Sequence, residues 1–415
     1  HKEPYNCPMS KRPWGYQPLN ERPEPDWELN SQTKSVRAGL ARSGFGETSE
    51  ALYLTSGFTY TSAEEAETSF KDEVDHYLYG RFANPTIGMF ENRLAALEGA
   101  EACIATGSGM SAMFASVACL VSQGDRVVAS ASMFSSCHVV LTEFLPKWGV
   151  TTELVKGNDR AAWEAALSKP TKAVFLETPS NPLMEIVDIK MVSEIAHKVG
   201  AIVIVDNVMA SPVYQKPLQL GADVVMYSTT KHIDGQGRVL GGAVLGNSKY
   251  IYEQFQPFIR HTGPAISPFN AWVMVKSLET MEMRVERMNS NAQSVAEFLE
   301  TQSKIKAVRY PGLKSHPDHA LAMQQMNGTG GTTIGIEFNG DKSAAFKFMN
   351  KLRVIDISNN LGDSKSLITH PASTTHRRLA PEVQADMGIT DSTLRLSVGL
   401  EHADDLIKDL KQALN

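Results

Sequence analysis

The chain has 415 residues, of which 42% are hydrophobic and 21% are charged, with a net charge of −6 at pH 7. This composition is typical of a globular enzyme, and the length predicts two domains. The negative charge argues against a nucleic-acid or anionic-membrane partner. Four cysteines without CxxC spacing predict neither a disulfide framework nor a metal site, and no apolar stretch is long enough to span a membrane. We therefore expect a cytoplasmic enzyme without a metal.

The first part of the chain is rich in prolines and charges and shows little apolar periodicity. Such a segment cannot build its own core, so we predict that residues 1–75 form an N-terminal arm that contributes to a neighbouring subunit. Met9 is a candidate native start, and the sequence leaves open whether the residues before it are native.

Residues 76–267 are predicted to form an α/β domain. A cap and a proline at Asn84 and Pro85 begin a helix. Strands are predicted at 101–106, 126–129, 151–155, 173–177, 202–206 and 224–228, with helices at 110–121, 139–148, 161–167 and 189–199. Alternating strands and helices indicate a mostly parallel, doubly wound sheet. Residues 239–245 follow the preceding strand too closely for a helical crossover and are predicted to add an antiparallel strand.

Residues 268–415 are predicted to form a smaller α+β domain. One long helix is expected from 268 to about 299, followed by strands at 307–310, 332–338 and 394–398 with helices between them.

Two of the predicted strands end in residues that suit pyridoxal phosphate chemistry. Asp206 closes one strand, and Lys231 follows the end of another, preceded by Ser228 and Thr230. The carboxyl ends of strands in an open α/β sheet deliver groups to one crevice. There the lysine could form a Schiff base with the cofactor aldehyde, the carboxylate could keep the pyridine nitrogen protonated, and the hydroxyls could hold the phosphate. The alternative is a buried strand-end acid with an unrelated surface lysine.

Two further segments could bind the phosphate. Ser108 and Gly109 lie in a glycine turn between a strand and a helix, where backbone N–H groups favour an anion. Tyr79 and Arg81 lie in an aromatic segment before a helix, and the arginine fork matches phosphate oxygens. Each segment alone also has a simpler interpretation. The glycine segment could be an ordinary strand-to-helix turn, and the aromatic segment a packed turn with a solvated arginine.

Two polar residues are candidates for contacts with the ring or the substrate. Asn181 ends a buried strand in a rigid turn, where it could donate to the cofactor ring or to a carboxylate, or simply form an Asx turn. Arg395 lies inside an apolar strand and needs an anionic partner, which the carboxylate of an amino acid substrate would supply.

Six short motifs occur in an order that resembles the Cys/Met-metabolism family of fold-type I pyridoxal-phosphate enzymes. They are YxRxxNPT at 79–86, SGM at 108–110, ETPSNP at 177–182, VDN at 205–207, STTK at 228–231 and LRLSVG at 394–399. The resemblance runs from about Thr33 to the C-terminus. It implies the fold-type I transferase fold and a homotetramer built as a dimer of dimers with shared active sites.

The resemblance also implies a role for each matching residue. Lys231 would be the Schiff-base lysine and Asp206 the partner of the pyridinium. The phosphate would be held by the set Ser108, Gly109, Met110, Ser228 and Thr230, joined by Tyr79 and Arg81 of the neighbouring subunit. Asn181 would lie near the ring hydroxyl, and Arg395 would bind the substrate α-carboxylate.

Two departures distinguish the chain from many members of the family. Phe134 stands where many relatives stack a tyrosine on the ring, and Asn360 stands where lyases and cystathionine γ-synthases usually place a serine. With the segment 231–238, these departures resemble the O-succinylhomoserine sulfhydrylases. They predict conversion of an O-acylhomoserine and sulfide to homocysteine, in methionine biosynthesis. The alternatives are a cystathionine γ-synthase, a γ-lyase and, more remotely, a non-catalytic binding protein.

Overall fold

The computed structural model describes residues 27–415, which form two sheets with helices around them. The part of the predicted arm before residue 27, including Cys7 and Met9, lies outside the described residues. No helix in the described range is both long and apolar enough to cross a membrane.

The larger sheet has seven strands in the order β1-β7-β6-β5-β4-β2-β3. The strands are β1 (Ala102–Thr106), β2 (Arg126–Ser130), β3 (Thr151–Val155), β4 (Ala173–Glu177), β5 (Ile202–Asp206), β6 (Val224–Ser228) and β7 (Gly242–Gly246). The pairs from β6 through to β3 are parallel, whereas β7 is antiparallel to both β1 and β6. The predicted doubly wound sheet and its antiparallel strand are confirmed.

The first nine α-helices of the described chain lie before residue 268 in sequence, and several of them pack on the larger sheet. They are α1 (Ser31–Arg37), α2 (Ala63–Phe70), α3 (Pro85–Glu98), α4 (Gly109–Ala118), α5 (Ser135–Val139), α6 (Arg160–Ala166), α7 (Ile189–His197), α8 (Ser211–Tyr214) and α9 (Gln256–Thr262). The helical segment predicted around 139–148 is confirmed, but it is not a regular α-helix, because after α5 the chain continues as a π-helix and then a 3-10 turn. Pro146 lacks an N–H and crowds the preceding turn, so a regular helix cannot pass through it.

The smaller sheet has five strands in the order β10-β11-β12-β9-β8, antiparallel except for the β10–β11 pair. Its strands are β8 (Ile305–Arg309), β9 (Thr333–Phe338), β10 (Asp356–Ile357), β11 (Leu367–Thr369) and β12 (Thr393–Ser397). The remaining helices are α10 (Pro268–Leu278), α11 (Met281–Glu300), α12 (His319–Gln325), α13 (Lys342–Met349), α14 (Pro381–Asp386) and α15 (Ala403–Leu414). This smaller α+β part agrees with the prediction, and the boundary at 267/268 stays a prediction.

The single long helix predicted for 268–299 is instead two helices, α10 and α11. The Ser277 carbonyl accepts from the Thr280 amide in a tight 3-10 turn, at 3.3 Å, and from the Arg284 guanidinium at 3.0 Å. A carbonyl taken by these partners is not available to continue the regular i to i−4 ladder. The chain therefore turns between α10 and α11.

The large sheet is buried on both faces, which fixes where its strands end. All five residues of β4 are buried, and four of the five in β5 and in β6. Apolar side chains of alternating positions enter two separate core clusters, one on each face. Polar residues therefore collect beyond the carboxyl ends of β4, β5 and β6, where the candidate site lies.

Candidate active site

Lys231 lies in the turn after β6, and its amine is held by Asn360 from the C-terminal part of the chain. The Lys231 Nζ donates a 2.6 Å hydrogen bond to the Asn360 Oδ1. Burial, aided by the positive charge of Arg395, lowers the pKa of Lys231 to about 8. A substantial fraction of this amine is therefore neutral near pH 8, which suits a nucleophile or a base.

Asp206 closes β5 and lies next to a second buried carboxyl. The parallel register pairs it with Glu177, the last residue of β4, and oxygens of both carboxyls lie within 4.8 Å of the Cys137 thiol. Burial raises the pKa of Asp206 to about 7, against a 3.0 Å bond from the Val208 amide that favours ionisation. A cation bound next to this carboxyl would favour its ionised form.

Glu177 connects this acidic pair to two other predicted site residues. Its Oε2 accepts from the backbone N–H of Phe134 at 2.5 Å, and its Oε1 accepts from the backbone N–H of Asn181 at 2.9 Å. Burial and the neighbouring Asp206 raise its pKa well above the usual range, while these amides and the charge of Arg395 oppose the rise. Phe134 is thus at the acidic end of the site and not in a distant part of the core.

Arg395, in the middle of β12, is 1% exposed and donates to neutral oxygens only. It contacts the side chain of Asn181 at 3.1 Å and the carbonyls of Asn359 and Asn360 at 2.8 and 3.0 Å. Its Nε is buried without a hydrogen-bond partner, and within residues 27–415 no carboxylate lies within ion-pair distance. Burial lowers its pKa to about 10, with Glu177 opposing. A buried guanidinium with an unused N–H is suited to an anionic ligand.

The predicted phosphate-binding segments meet at the ends of β1 and β6. A methyl group built on Gly109 would lie 2.5 Å from the Ser228 Cβ, so only glycine allows the two loops to approach this closely. Ser108 caps α4 by accepting from the Ser111 amide at 3.1 Å, which leaves the first turn of α4, with Met110, facing this junction. Thr230 bonds the Gly241 backbone and fixes the turn that carries the lysine.

Tyr79 and Arg81 are not brought to this cluster in the same chain. Tyr79 is 43% exposed, and Arg81 donates to the Arg260 carbonyl and lies over the Phe82 ring. Among residues 27–415, the side-chain contacts of these two residues are with this separate aromatic surface.

The sequence analysis assigned no catalytic or ligand-binding role to three residues that lie in the site. They are Cys137 and Glu177, beside Asp206, and His376, which is fully buried near Arg395. Burial and the Arg395 charge lower the pKa of His376 to about 4, so it is neutral at physiological pH. The sequence does contain a signal for Glu177. Glu177 and Asp206 each end a predicted strand, and two carboxyls at the ends of neighbouring parallel strands lie side by side.

Comparison with known proteins identifies the family. The model of the Cys/Met metabolism PLP-dependent enzymes matches residues 32–415. The chain belongs to this family. It is 55% identical to an O-succinylhomoserine sulfhydrylase of Mycobacterium tuberculosis, over 93% of this chain and 96% of that one. A Pseudomonas aeruginosa protein of the same name is 46% identical, over 92% and 94%.

A solved structure gives the same fold. A Campylobacter jejuni chain with N′-pyridoxyl-lysine-5′-monophosphate superposes with a TM-score of 0.88 at 32% identity, covering 93% of this chain and all of that one. The protein is thus an enzyme of the Cys/Met metabolism family, and its cofactor is pyridoxal phosphate.

The residues present fit this cofactor. Because Gly109 has no side chain to clash with Ser228, the N-terminal end of α4 and the Ser228 hydroxyl lie close together, an arrangement that suits a phosphate. Asp206 uses one carboxylate oxygen for the Val208 amide within the described residues, so the other is available to a ring nitrogen. The Lys231 amine has a lowered pKa, as a residue that reacts with an aldehyde requires.

Proposed function

We propose that the protein catalyses γ-replacement on O-succinylhomoserine, or another O-acylhomoserine, with sulfide as the nucleophile. The Cγ–O bond to the acyl group breaks, a Cγ–S bond forms, and the products are homocysteine and the free acid. The observation that carries the proposal is that the Phe134 backbone is held at the acidic end of the site, at a position whose side chain has no hydroxyl for acid–base work. The similarity to O-succinylhomoserine sulfhydrylases over most of the chain supports it.

The proposal assigns the cofactor to residues that the fold brings together. Lys231 would attach it covalently, Asp206 would pair with the ring nitrogen, and Asn181 and Phe134 would flank the ring. The phosphate would be held by Ser108, Gly109, Met110, Ser228 and Thr230. When bound, pyridoxal phosphate supplies an electron sink that stabilises negative charge on the substrate carbons.

Lys231 is the group best placed to move protons. Freed from the cofactor by the incoming amino acid, its amine would take the proton from the substrate Cα and later act at Cβ. A pKa of about 8 keeps it able both to accept and to release a proton near neutral pH. Since Phe134 cannot share this work, Lys231 would carry it, with Asn360 holding the amine in place.

Arg395 would bind the substrate α-carboxylate. Its unpartnered Nε and its contact with Asn181 give the carboxylate a buried, positively charged site. Asn360 links this site to Lys231, because its carbonyl accepts from Arg395 while its side chain accepts from the lysine. The binding of the carboxylate and the position of the base are thereby connected through one residue.

We further propose a homotetramer, built as a dimer of dimers, in the cytoplasm as expected for an enzyme of methionine biosynthesis. Tyr79 and Arg81 lie on a surface away from the Lys231 cluster. This location supports the expectation that they complete the phosphate site of a neighbouring subunit.

Feeding experiments test the function. The enzyme is given O-succinylhomoserine or O-acetylhomoserine with sulfide and then with cysteine, and homocysteine, cystathionine and 2-oxobutyrate are measured. Homocysteine as the main product is expected. Mainly cystathionine would indicate a cystathionine γ-synthase, and mainly 2-oxobutyrate a γ-lyase. Absence of any product, with no absorption from lysine-bound cofactor, would support a non-catalytic protein. Borohydride reduction and peptide mapping should label Lys231, and a label on another lysine would refute its role.

A further inference from the structure

Glu177 uses both oxygens of one carboxyl to hold two separate loops. The Oε2 accepts from the Phe134 amide at the start of α5, and the Oε1 accepts from the Asn181 amide beyond β4. The side chain is 1% exposed, so water does not replace either bond. One buried carboxyl therefore fixes the backbone on two sides of the site.

These two loops carry the groups that contact the ring and the substrate in the function proposed above. The Phe134 side chain does not cap α5, because it cannot accept a hydrogen bond from the helix amides. Asn181 places its side-chain oxygen on Arg395 at 3.1 Å. A shift of either loop would move an aromatic ring or the arginine that awaits the carboxylate.

We propose that Glu177 is a positioning residue that sets the distance between Phe134 and the Asn181–Arg395 pair. The proposal rests on the proposed function for its kinetic consequences, but its structural consequence can be measured without cofactor or substrate. Glu177 acts through the two backbone amides and touches neither reactant itself. Asp206, which pairs with Glu177 in the register of the sheet, would be the carboxyl that pairs with the ring nitrogen.

A carboxyl group suits this task better than any other side chain of its size. Both of its oxygens can accept a hydrogen bond, whereas glutamine offers one acceptor and turns an NH₂ group toward the other amide. In Glu177→Gln, one amide therefore keeps its partner and the other faces a donor. Aspartate keeps two acceptors but withdraws them by one methylene, so it cannot reach both amides from the same backbone position.

Hydrogen exchange of the apoprotein gives the structural test. Glu177→Gln should speed exchange at the Phe134 backbone amide or the Asn181 backbone amide by roughly 10- to 100-fold, as expected for loss of one buried hydrogen bond. The Asn181 signal is clean, because the prolines at 179 and 182 have no amide hydrogen and Ser180 is separately bonded to the Glu185 carbonyl. Unchanged protection at both amides would overturn the proposal.

Kinetics of the loaded enzyme give the functional test. If exchange shows that the Asn181 bond is lost, KM for the acylhomoserine should rise roughly tenfold or more while kcat changes less. If the Phe134 bond is lost, the ratio of 2-oxobutyrate to homocysteine should rise instead. A wild type that forms no homocysteine would refute the proposed function, while the exchange result would still decide the role of Glu177.

Asp409→Asn is the matched control. Asp409 is also a buried acid whose carboxyl accepts backbone amides, those of residues 353–355 at 2.8 to 3.0 Å, but it lies on α15, outside the site. Both variants are expected to lose stability, and only Glu177→Gln should alter KM or the product ratio. If the two variants have the same kinetic profile, Glu177 is a structural residue only and the proposal is wrong.

Discussion

Replacing Asn360 by aspartate would place a negative charge against the Lys231 amine with almost no change in shape. In the wild type the amine donates to a neutral amide oxygen at 2.6 Å, and its pKa is lowered to about 8 by burial and by Arg395. A carboxylate at the same position favours the charged form of the lysine. Opposite charges at this distance shift a pKa by about 1–3 units, so the pKa of Lys231 should rise to roughly 9–11.

The shift changes how much of the lysine can react with the cofactor aldehyde. At pH 7.5 the neutral fraction is about 24% for a pKa of 8 and about 3% for a pKa of 9. The rate at which the apoprotein binds pyridoxal phosphate covalently should therefore fall about eightfold, and several hundredfold if the shift reaches three units. The inflection of the rate against pH should move upward by the same number of units.

Reconstitution is measured from the growth of the absorption of lysine-bound cofactor between pH 6.5 and 10. Asn360→Ala is the control, because it removes the acceptor without adding charge and should change the rate by less than about threefold at pH 7.5. If Asn360→Asp and the wild type have inflections at the same pH, then residue 360 does not influence the pKa of Lys231. Their contact then has no effect on the reaction with the cofactor.

Three further outcomes are expected. Asp206→Asn should retain some cofactor but lose about 10²–10³-fold or more in turnover, because an amide cannot balance a ring cation; near-normal activity would reduce Asp206 to a strand-end residue. Phe134→Tyr should leave homocysteine formation level or lower and raise 2-oxobutyrate release at most modestly, whereas a large gain in elimination without loss of replacement would contradict the sulfhydrylase assignment. Asp409 is buried, which opposes ionisation, but the amides of residues 353–355 outweigh this and lower its pKa. Its stabilisation is therefore present above its unfolded pKa and is lost as pH falls through the lower folded value. Asp409→Asn should cost about 1–3 kcal/mol in urea unfolding at pH 7 with normal activity of the folded enzyme, and the difference from wild type should shrink in acid; a difference that does not depend on pH would refute this account.

Much of the large sheet could be predicted because its central strands are almost entirely buried and are followed by polar turns. Strands β4 to β6 begin and end where the apolar runs do. The helices were predicted less well where a local competitor acts against periodicity. Pro146 breaks one apolar pattern into π and 3-10 turns, and the Arg284 side chain captures a carbonyl between α10 and α11.

The residues at the ends of neighbouring strands could be predicted as parts of one site. Contacts between the two sheets of the molecule could not. Lys231 and Asp206 follow strands whose ends share one edge of the sheet, so their proximity follows from the fold class. The contact of Asn360 with Lys231 joins positions 129 residues apart, its contact with Arg395 joins positions 35 apart, and both depend on how the smaller sheet packs. A single sequence contains no local signal for such a contact.

Burial explains why four ionisable groups of the site have shifted pKa values. It lowers the pKa of Lys231 and Arg395 and raises the pKa of Asp206 and Glu177, so each group is moved toward its neutral form. Because the charges oppose one another in a low-dielectric region, removing one changes the cost of keeping the others. A double-mutant cycle between Glu177→Gln and Arg395→Lys should therefore be non-additive in KM for the acylhomoserine. A ring nitrogen bound beside Asp206 would add a positive charge and a substrate carboxylate bound by Arg395 a negative one, so ligand binding would shift the pKa values of these groups again.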